Sequence, residues 1–330
     1  MVLRFSAGMV FTFFLVLLGA CQSSTPQHSI STSQIQEPTR TYATQHVILV
    51  VIDGVRYQDS WGDSTLANVP RMARELVPQG AFHPQFFNQG ETLTTAGHVA
   101  LTTGHHQKIE NDGTEIPDFP SVFHYYRQFT GAPASKAWII TSKDKLEVLA
   151  RTSSTEAAAA FAPSVNCGVN GLNTGYRPDT TTLRVAKQVL ARHQPKLMLI
   201  NLREPDTEAH EGDWNGYLKA IQQSDRLVAD FWKWLQKQPR FQRNTTLLVT
   251  NDHGRHTGRR FKNHGDNCEG CRHISLLALG PDVKPGTVAT RARSQADVAA
   301  TMAELLGFPI PQRDGEPMTE LFQQHALTGE

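Results

Sequence analysis

Asp53, Asp206, His210, Asp252 and His253 carry the clearest chemical potential in this chain, because each lies at or just beyond the end of a short apolar run. Asp53 follows Val47–Ile52, Asp206 comes shortly after Leu197–Asn201, and Asp252-His253 directly follows a run that ends at Asn251. Asp206 and His210 are four positions apart, which sets both on one face of a helix, as two ligands of one metal require. Carboxylate and imidazole donors suit a catalytic zinc ion that keeps one position open. Taken singly, an Asp after a strand is usually a turn former or a helix cap. Several such residues at strand ends point to a common site, because the carboxyl ends of strands in an open parallel sheet form the ligand crevice.

The elements that must position these residues are legible as alternating patterns. Short apolar runs at Val47–Ile52, Ala137–Thr141, Leu197–Asn201, Thr246–Thr250 and Ile274–Leu279 read as strands buried on both faces, which suits a parallel sheet. Between them, Leu218, Ile221, Val228, Phe231 and Leu235 mark one face of a helix over about Gly216–Gln238. Leu183, Ala186 and Leu190 form a second stripe, and Val298, Met302 and Leu305 a third. The alternation predicts an α/β fold, a doubly wound, mostly parallel sheet with helices on both faces.

The first residues belong to a different regime. Arg4 precedes the apolar run Val10–Leu18, which ends in Leu18-Gly19-Ala20-Cys21. This run is shorter than the ~20 apolar residues of a spanning helix and reads as a signal peptide over 1–20. Leu-Gly-Ala-Cys resembles a bacterial lipoprotein processing site, which implies a lipid on Cys21; Gln22 in place of an Asp favours the outer membrane. Residues 21–45 are rich in Ser, Thr, Gln and Pro and read as a flexible tether to a catalytic domain over 46–330. The expected setting is the bacterial cell envelope, lipid-anchored and periplasm-facing or at the outer membrane, with the membrane as a partner through Cys21. A formal net charge of +1 offers no large basic surface, so no nucleic-acid partner is expected. Cys167, Cys268 and Cys271 remain. Cys268-Glu-Gly-Cys271 alone is weak evidence for a zinc knuckle, and a disulfide, local or through Cys167, is the preferred expectation.

The motifs Val50-Val51-Ile52-Asp53-Gly54, Thr94-Thr95-Ala96-Gly97-His98 with Leu101-Thr102-Thr103-Gly104, Asp206-Thr207-Glu208-Ala209-His210, Asn251-Asp252-His253-Gly254, and His264-Gly265 before Leu276–Pro281 occur in this order. Together they resemble the alkaline phosphatase superfamily, over His46 to about Leu321. In that family the nucleophile stands ten positions before the Gly of a Thr-Gly pair, which implies Thr94 from Gly104. The resemblance implies two divalent metal ions, with zinc the expected metal. One would be held by Asp53, Thr94, Asp252 and His253, the other by Asp206, His210 and His264. His264 is preferred to His273 as the last ligand because its His-Gly pair matches the family. His98 and His256 are expected to orient ligands without touching metal.

The stretch Ile140–Lys145 resembles a Lys-x-Arg element by which monoesterase-type members grip phosphate, which implies substrate binding by Lys143 and Lys145, a Lys standing in place of the Arg. Asn111 is a candidate amide donor to the same phosphate. Gly97 stands where the nucleotide pyrophosphatase and phosphodiesterase branch has an Asn. The implied activity is a phosphomonoesterase acting on a small phosphorylated substrate through phospho-Thr94. The alternative is a phosphodiesterase or nucleotide pyrophosphatase with the same site. A sulfatase is disfavoured by the absence of Cys or Ser at position 94, and a non-catalytic lipoprotein that binds a phosphorylated ligand by the presence of all seven ligands.

Overall fold

Strand β1 (His46–Ile52) is the seed of the architecture, because all seven of its side chains are buried. Val47, Leu49 and Val51 enter one hydrophobic cluster and Ile48, Val50 and Ile52 another, so the sheet is covered on both faces. The structure, a computed structural model, describes residues 42–323. Cys21, the expected leader and residues 21–41 of the expected tether lie outside the described residues. Among the described residues, no helix is long and apolar enough to cross a membrane.

The remaining strands are β2 (Ala81–Phe87), β3 (Ala137–Thr141), β4 (Ser164–Cys167), β5 (Leu197–Leu202), β6 (Thr245–Thr250), β7 (His273–Leu279), β8 (Thr287–Val288) and β9 (Arg293–Ser294). The helices are α1 (Thr94–Thr103), α2 (Val122–Thr130), α3 (Glu156–Ala159), α4 (Asp179–His193), α5 (Glu204–Glu211), α6 (Trp214–Gln236), α7 (Glu269–Arg272) and α8 (Ala296–Leu306). The sheet order is β4-β3-β5-β1-β6-β7-β2-β8, with β9 beside β2. Residues of α1, α2 and α8 pack in the cluster on one face, and those of α4 and α6 in the cluster on the other.

β1 pairs in parallel with β5 and β6, and β3 in parallel with β5 and β4. Val51 lies opposite both Asn201 and Thr250, so these strands end at one edge. That register brings Asp53, Asn201 and Asp252 into one crevice. β7 departs from the expectation: it is antiparallel to both β6 and β2. Its apolar run is continuous because it too is buried on both faces, a condition that carries no information on strand direction.

The predicted helix over 216–238 is α6, displaced two residues toward the N-terminus. Asp213 sets its start by accepting from Gly216 N at 2.9 Å, which satisfies one of the orphan amides of the first turn. Ahead of β1, the backbone amides of Ala43 and Thr44 donate to the Asp282 carboxylate at 2.9 and 2.8 Å.

Two buried histidines tie the fold to pH. His46 Nδ1 donates to Pro195 O at 2.6 Å, and His124 Nδ1 accepts from Ser121 N at 3.2 Å in the capping box of α2. Burial pushes each imidazole down from 6.5 to about 4. The unfolded chain therefore binds more protons than the folded one between these values, and stability rises with pH there. The contribution, about 3 kcal/mol per residue, is complete above pH 6.5 and lost as pH falls through 4. Urea midpoints measured from pH 7.5 to 4.5 should show this slope. In His46→Gln, which keeps a donor for Pro195 but cannot titrate, the slope should be shallower, and an unchanged slope would refute the assignment.

Candidate metal centre

The nucleophile candidate stands at the start of a rigid element. Thr94 is the first residue of α1, every residue of which is buried, and Gly104 closes that helix in the left-handed conformation at φ 77°. The ten-residue spacing from Thr94 to Gly104 is thus the length of one helix. Its N-terminus sets the positive end of the helix dipole at the crevice.

Thr94 Oγ1 lies 3.5 Å from Asp53 Oδ1, 3.5 Å from His253 Nε2 and 3.1 Å from Lys143 Nζ. Asp53 and Asp252-His253 arrive from the ends of β1 and β6, and the ligand atoms of these three residues fall within 4.8 Å of one another. The second group draws Asp206, His253 and His264 within the same limit. His210 joins it, its Nε2 standing 3.1 Å from His264 Nε2 and 3.3 Å from Asp206 Oδ1. Asp206 and His210 lie four residues apart on α5, as the sequence pattern predicts. Gly54, at φ +69°, lets these groups meet: a Cβ there would stand 2.7 Å from Asp206 Oδ1.

The donor set fits divalent cations. His253 Nδ1 donates to Gly254 O and His264 Nδ1 to Thr92 O, at 2.9 and 2.8 Å, so each ring turns a lone pair on Nε2 toward the carboxylates. Burial lowers both imidazoles, His264 to about 2, and neutral rings are the form that ligates. Burial and the neighbouring Asp252 push the Asp53 carboxyl well up. Asp252 Oδ2 is buried without a hydrogen bond. A like-charged pair, in which that oxygen meets His98 Nδ1 and His253 Nε2 at 3.4 and 3.5 Å, is a cost that a bound cation removes.

Lys143 spans the two groups. Its Nζ is 2.9 Å from Asp53 Oδ2 and 2.6 Å from Asp206 Oδ2. Burial opposes its charge, but Asp206, Asp53 and Asp252 outweigh burial and hold the ammonium above the usual lysine range. Lys145 Nζ donates to Asn111 O and Oδ1 at 2.8 and 3.0 Å, and burial with the Lys143 charge brings it down to about 8. Asn111 Oδ1 also accepts from Thr95 N at 2.9 Å. Thr94, Asn111, Lys143, Lys145, His210 and His264 line one open cleft of about 360 Å³.

His264 is the histidine at the cleft. His273 begins β7 and packs elsewhere, stacked on Tyr57 with ring centroids 3.9 Å apart. At Gly97 a Cβ would stand 2.5 Å from Asp252 O, so this position accommodates the Asp252 backbone. Among the described residues the expected disulfide is absent. Cys167, Cys268 and Cys271 are all free, Cys167 lying at the end of β4 and facing Ile139 O.

Two residues of the site escape sequence reasoning. Arg255, fully buried, places both terminal nitrogens on Asp206 Oδ1 at 2.9 and 2.7 Å. Asn201 donates to Asp53 Oδ2 at 3.1 Å and stands 3.3 Å from His98 Nε2, while His98 Nδ1 donates to Thr94 O at 2.8 Å. The available signals are a charge directly after Asp252-His253-Gly254 and a lone amide at the end of an apolar strand.

A sequence profile of the metalloenzyme superfamily matches residues 45–310. A curated relative, sulfatase ppz1 of Metarhizium majus, is 35% identical over 104 residues, 31% of this chain and 24% of the relative. The chain spans about a quarter of the length of the curated relatives it matches, 22% to 28%. Among solved structures, the alkaline phosphatase PafA superposes with a TM-score of 0.68 at 12% identity, over 85% of this chain and 99% of that one. Murine ectonucleotide pyrophosphatase/phosphodiesterase 5 gives 0.63 at 14%, over 84% and 100%. These likenesses establish an alkaline phosphatase-like fold.

Proposed function

Because the chain belongs to the metalloenzyme superfamily, we propose that it is a metal-dependent phosphate-ester hydrolase, first of all a phosphomonoesterase, with Thr94 as its nucleophile. The observation that carries this reading is the Thr94 hydroxyl at the junction of Asp53, His253 and Lys143, within 3.1 to 3.5 Å of each. Two divalent ions, one with Asp53, Asp252, His253 and Thr94 and one with Asp206, His210 and His264, would supply a lowered hydroxyl pKa and charge neutralisation.

The protein groups have separable tasks. Thr94 Oγ1 forms the bond to phosphorus as the ester oxygen leaves, and water then cleaves the phospho-threonine to release phosphate. Lys143 and Lys145 face the same cleft as Thr94 and hold the non-bridging oxygens, a task of positioning and charge balance. Asn111 adds an amide beside them. Arg255 and Asn201 fix the orientations of Asp206 and Asp53 through the hydrogen bonds described above.

A monoester dianion gains more from two cations than a diester monoanion does, which is why the monoesterase reading comes before the phosphodiesterase one. The test compares turnover of aryl phosphate, bis-aryl phosphate and aryl sulfate before chelation, after it, and after zinc return. Aryl phosphate should be the best substrate, with turnover lost on chelation and recovered with metal. Faster turnover of the diester would favour the phosphodiesterase reading. Absence of turnover on all three, or indifference to chelation, would overturn the proposal.

A further inference from the structure

We infer that His256, Asp266, Cys268 and Cys271 form a structural zinc site, separate from the catalytic ligands, that pins the loop carrying His264. One ligand atom from each of the four lies within 4.8 Å of all the others. His256 Nδ1 stands 3.3 Å from Cys268 Sγ, 3.5 Å from Cys271 Sγ and 3.4 Å from Asp266 Oδ1. Tetrahedral zinc with ordinary Zn–S, Zn–N and Zn–O bonds sets such ligand edges at about 3.4–3.6 Å. The three edges from His256 are therefore close to those of a zinc tetrahedron, and the other three lie within 4.8 Å.

Other observations support the same assignment. Cys271 is fully buried and His256 nearly so. Both thiols are free, so no disulfide consumes them. Two thiolates with an imidazole and a carboxylate form a donor set that selects zinc over magnesium or calcium. The Cys-x-x-Cys spacing is that of structural zinc sites, and the third and fourth ligands that the sequence pattern alone lacks come from His256 and Asp266 across the loop.

The location gives the site its purpose. Residues 257–260, 262, 263 and 265–267 are exposed, and only Phe261 and His264 of this segment are partly buried. His264 itself is held by Thr92 O and by stacking on His253 at 3.8 Å, but the exposed residues on either side bury little that would fix the loop. The segment is closed at its base by Gly254 N donating to Cys271 O at 2.7 Å and Arg255 N to Gly270 O at 2.8 Å. An ion joining His256 to Asp266, Cys268 and Cys271 would add a cross-link around His264 and reduce the freedom of the open loop.

The test is cobalt substitution of the whole protein. The catalytic groups offer only oxygen and nitrogen, so a thiolate-to-cobalt charge-transfer band in the near ultraviolet can come only from a cysteine site. The metal-stripped protein refilled with cobalt(II) should show that band, keep it in Thr94→Ala and Cys167→Ser, and lose it in Cys271→Ser together with one bound ion per chain. Cys271→Ser should also need about 10- to 100-fold more metal to regain hydrolysis. If Cys271→Ser fails to fold, the wild-type band and metal count still decide. No thiolate band at saturation, or a Cys268–Cys271 disulfide in the folded protein, would overturn the inference. The band is read without turnover, so its failure is distinct from failure of the hydrolase reading.

Discussion

Thr94→Ala is expected to lower phosphate-ester turnover by on the order of 10⁴-fold or more, the scale seen when a covalent nucleophile is removed and the remaining machinery stays in place. The fold should hardly respond. Thr94 is the first residue of α1, its hydroxyl meets the crevice side chains Asp53, His253 and Lys143, and Ala is a better helix former than Thr. Neighbouring hydroxyls cannot take over. Thr92 Oγ1 donates to Asp266 O at 2.8 Å and receives Gly265 N at 3.1 Å, which commits it to the loop of His264. Thr95 Oγ1 is buried with no hydrogen-bond partner, so it is bonded to neither ligand group. Acid quench with labelled aryl phosphate should trap phosphate on the peptide containing residue 94 in the wild type and in Thr94→Ser, but not in Thr94→Ala. An alanine variant that kept a tenth of wild-type turnover would remove Thr94 from the mechanism.

How much of this was readable beforehand depends on whether the signal was local. The strands that carry Asp53, Asn201 and Asp252 were legible because burial on both faces writes an uninterrupted apolar run, and Asp206 with His210 because four residues make one helical turn. The direction of β7 was not legible, since an antiparallel strand buried on both faces writes the same run. The short strands β8 and β9 have two residues each, too few for any period. Arg255 could not be assigned from type alone: an arginine is ordinarily solvated, and only the fold reveals it buried against Asp206 and, with its guanidinium carbon 5.9 Å from the ring centroid, over Tyr217. At Gly97 the fold adds what residue type alone does not reveal, a close approach of α1 to the Asp252 backbone. For the cysteines, a disulfide was the simpler reading because the ligands that complete the cluster, His256 and Asp266, are twelve and two positions before Cys268 and meet it only through the loop closure.

Lys143→Ala tests the substrate class, and its effects should separate by charge and by pH. The ammonium is 3.1 Å from Thr94 Oγ1 and within 2.9 Å of carboxylates from both ligand groups, so a phosphoryl group attacked by Thr94 develops its charge beside it. Loss of one such cation from a buried site is expected to cost about 10²- to 10³-fold in turnover. The loss on aryl phosphate should exceed that on bis-aryl phosphate by roughly tenfold, because the monoester carries a second negative charge. The pH profile should move as well. Lys145 is held down to about 8 by burial and then by the Lys143 charge; removing that charge raises Lys145, so its cationic form persists to higher pH. The alkaline limb of kcat/KM should therefore shift upward in pH while the plateau falls. Stability supplies the control: without metal, the variant leaves Asp53 and Asp206 short of a compensating cation and should melt lower than the wild type, a gap that bound metal narrows. Equal losses on the two esters would withdraw the preference for monoesters and leave Lys143 as a counter-ion that organises the two carboxylate groups, whereas unchanged turnover on both would remove it from the reaction.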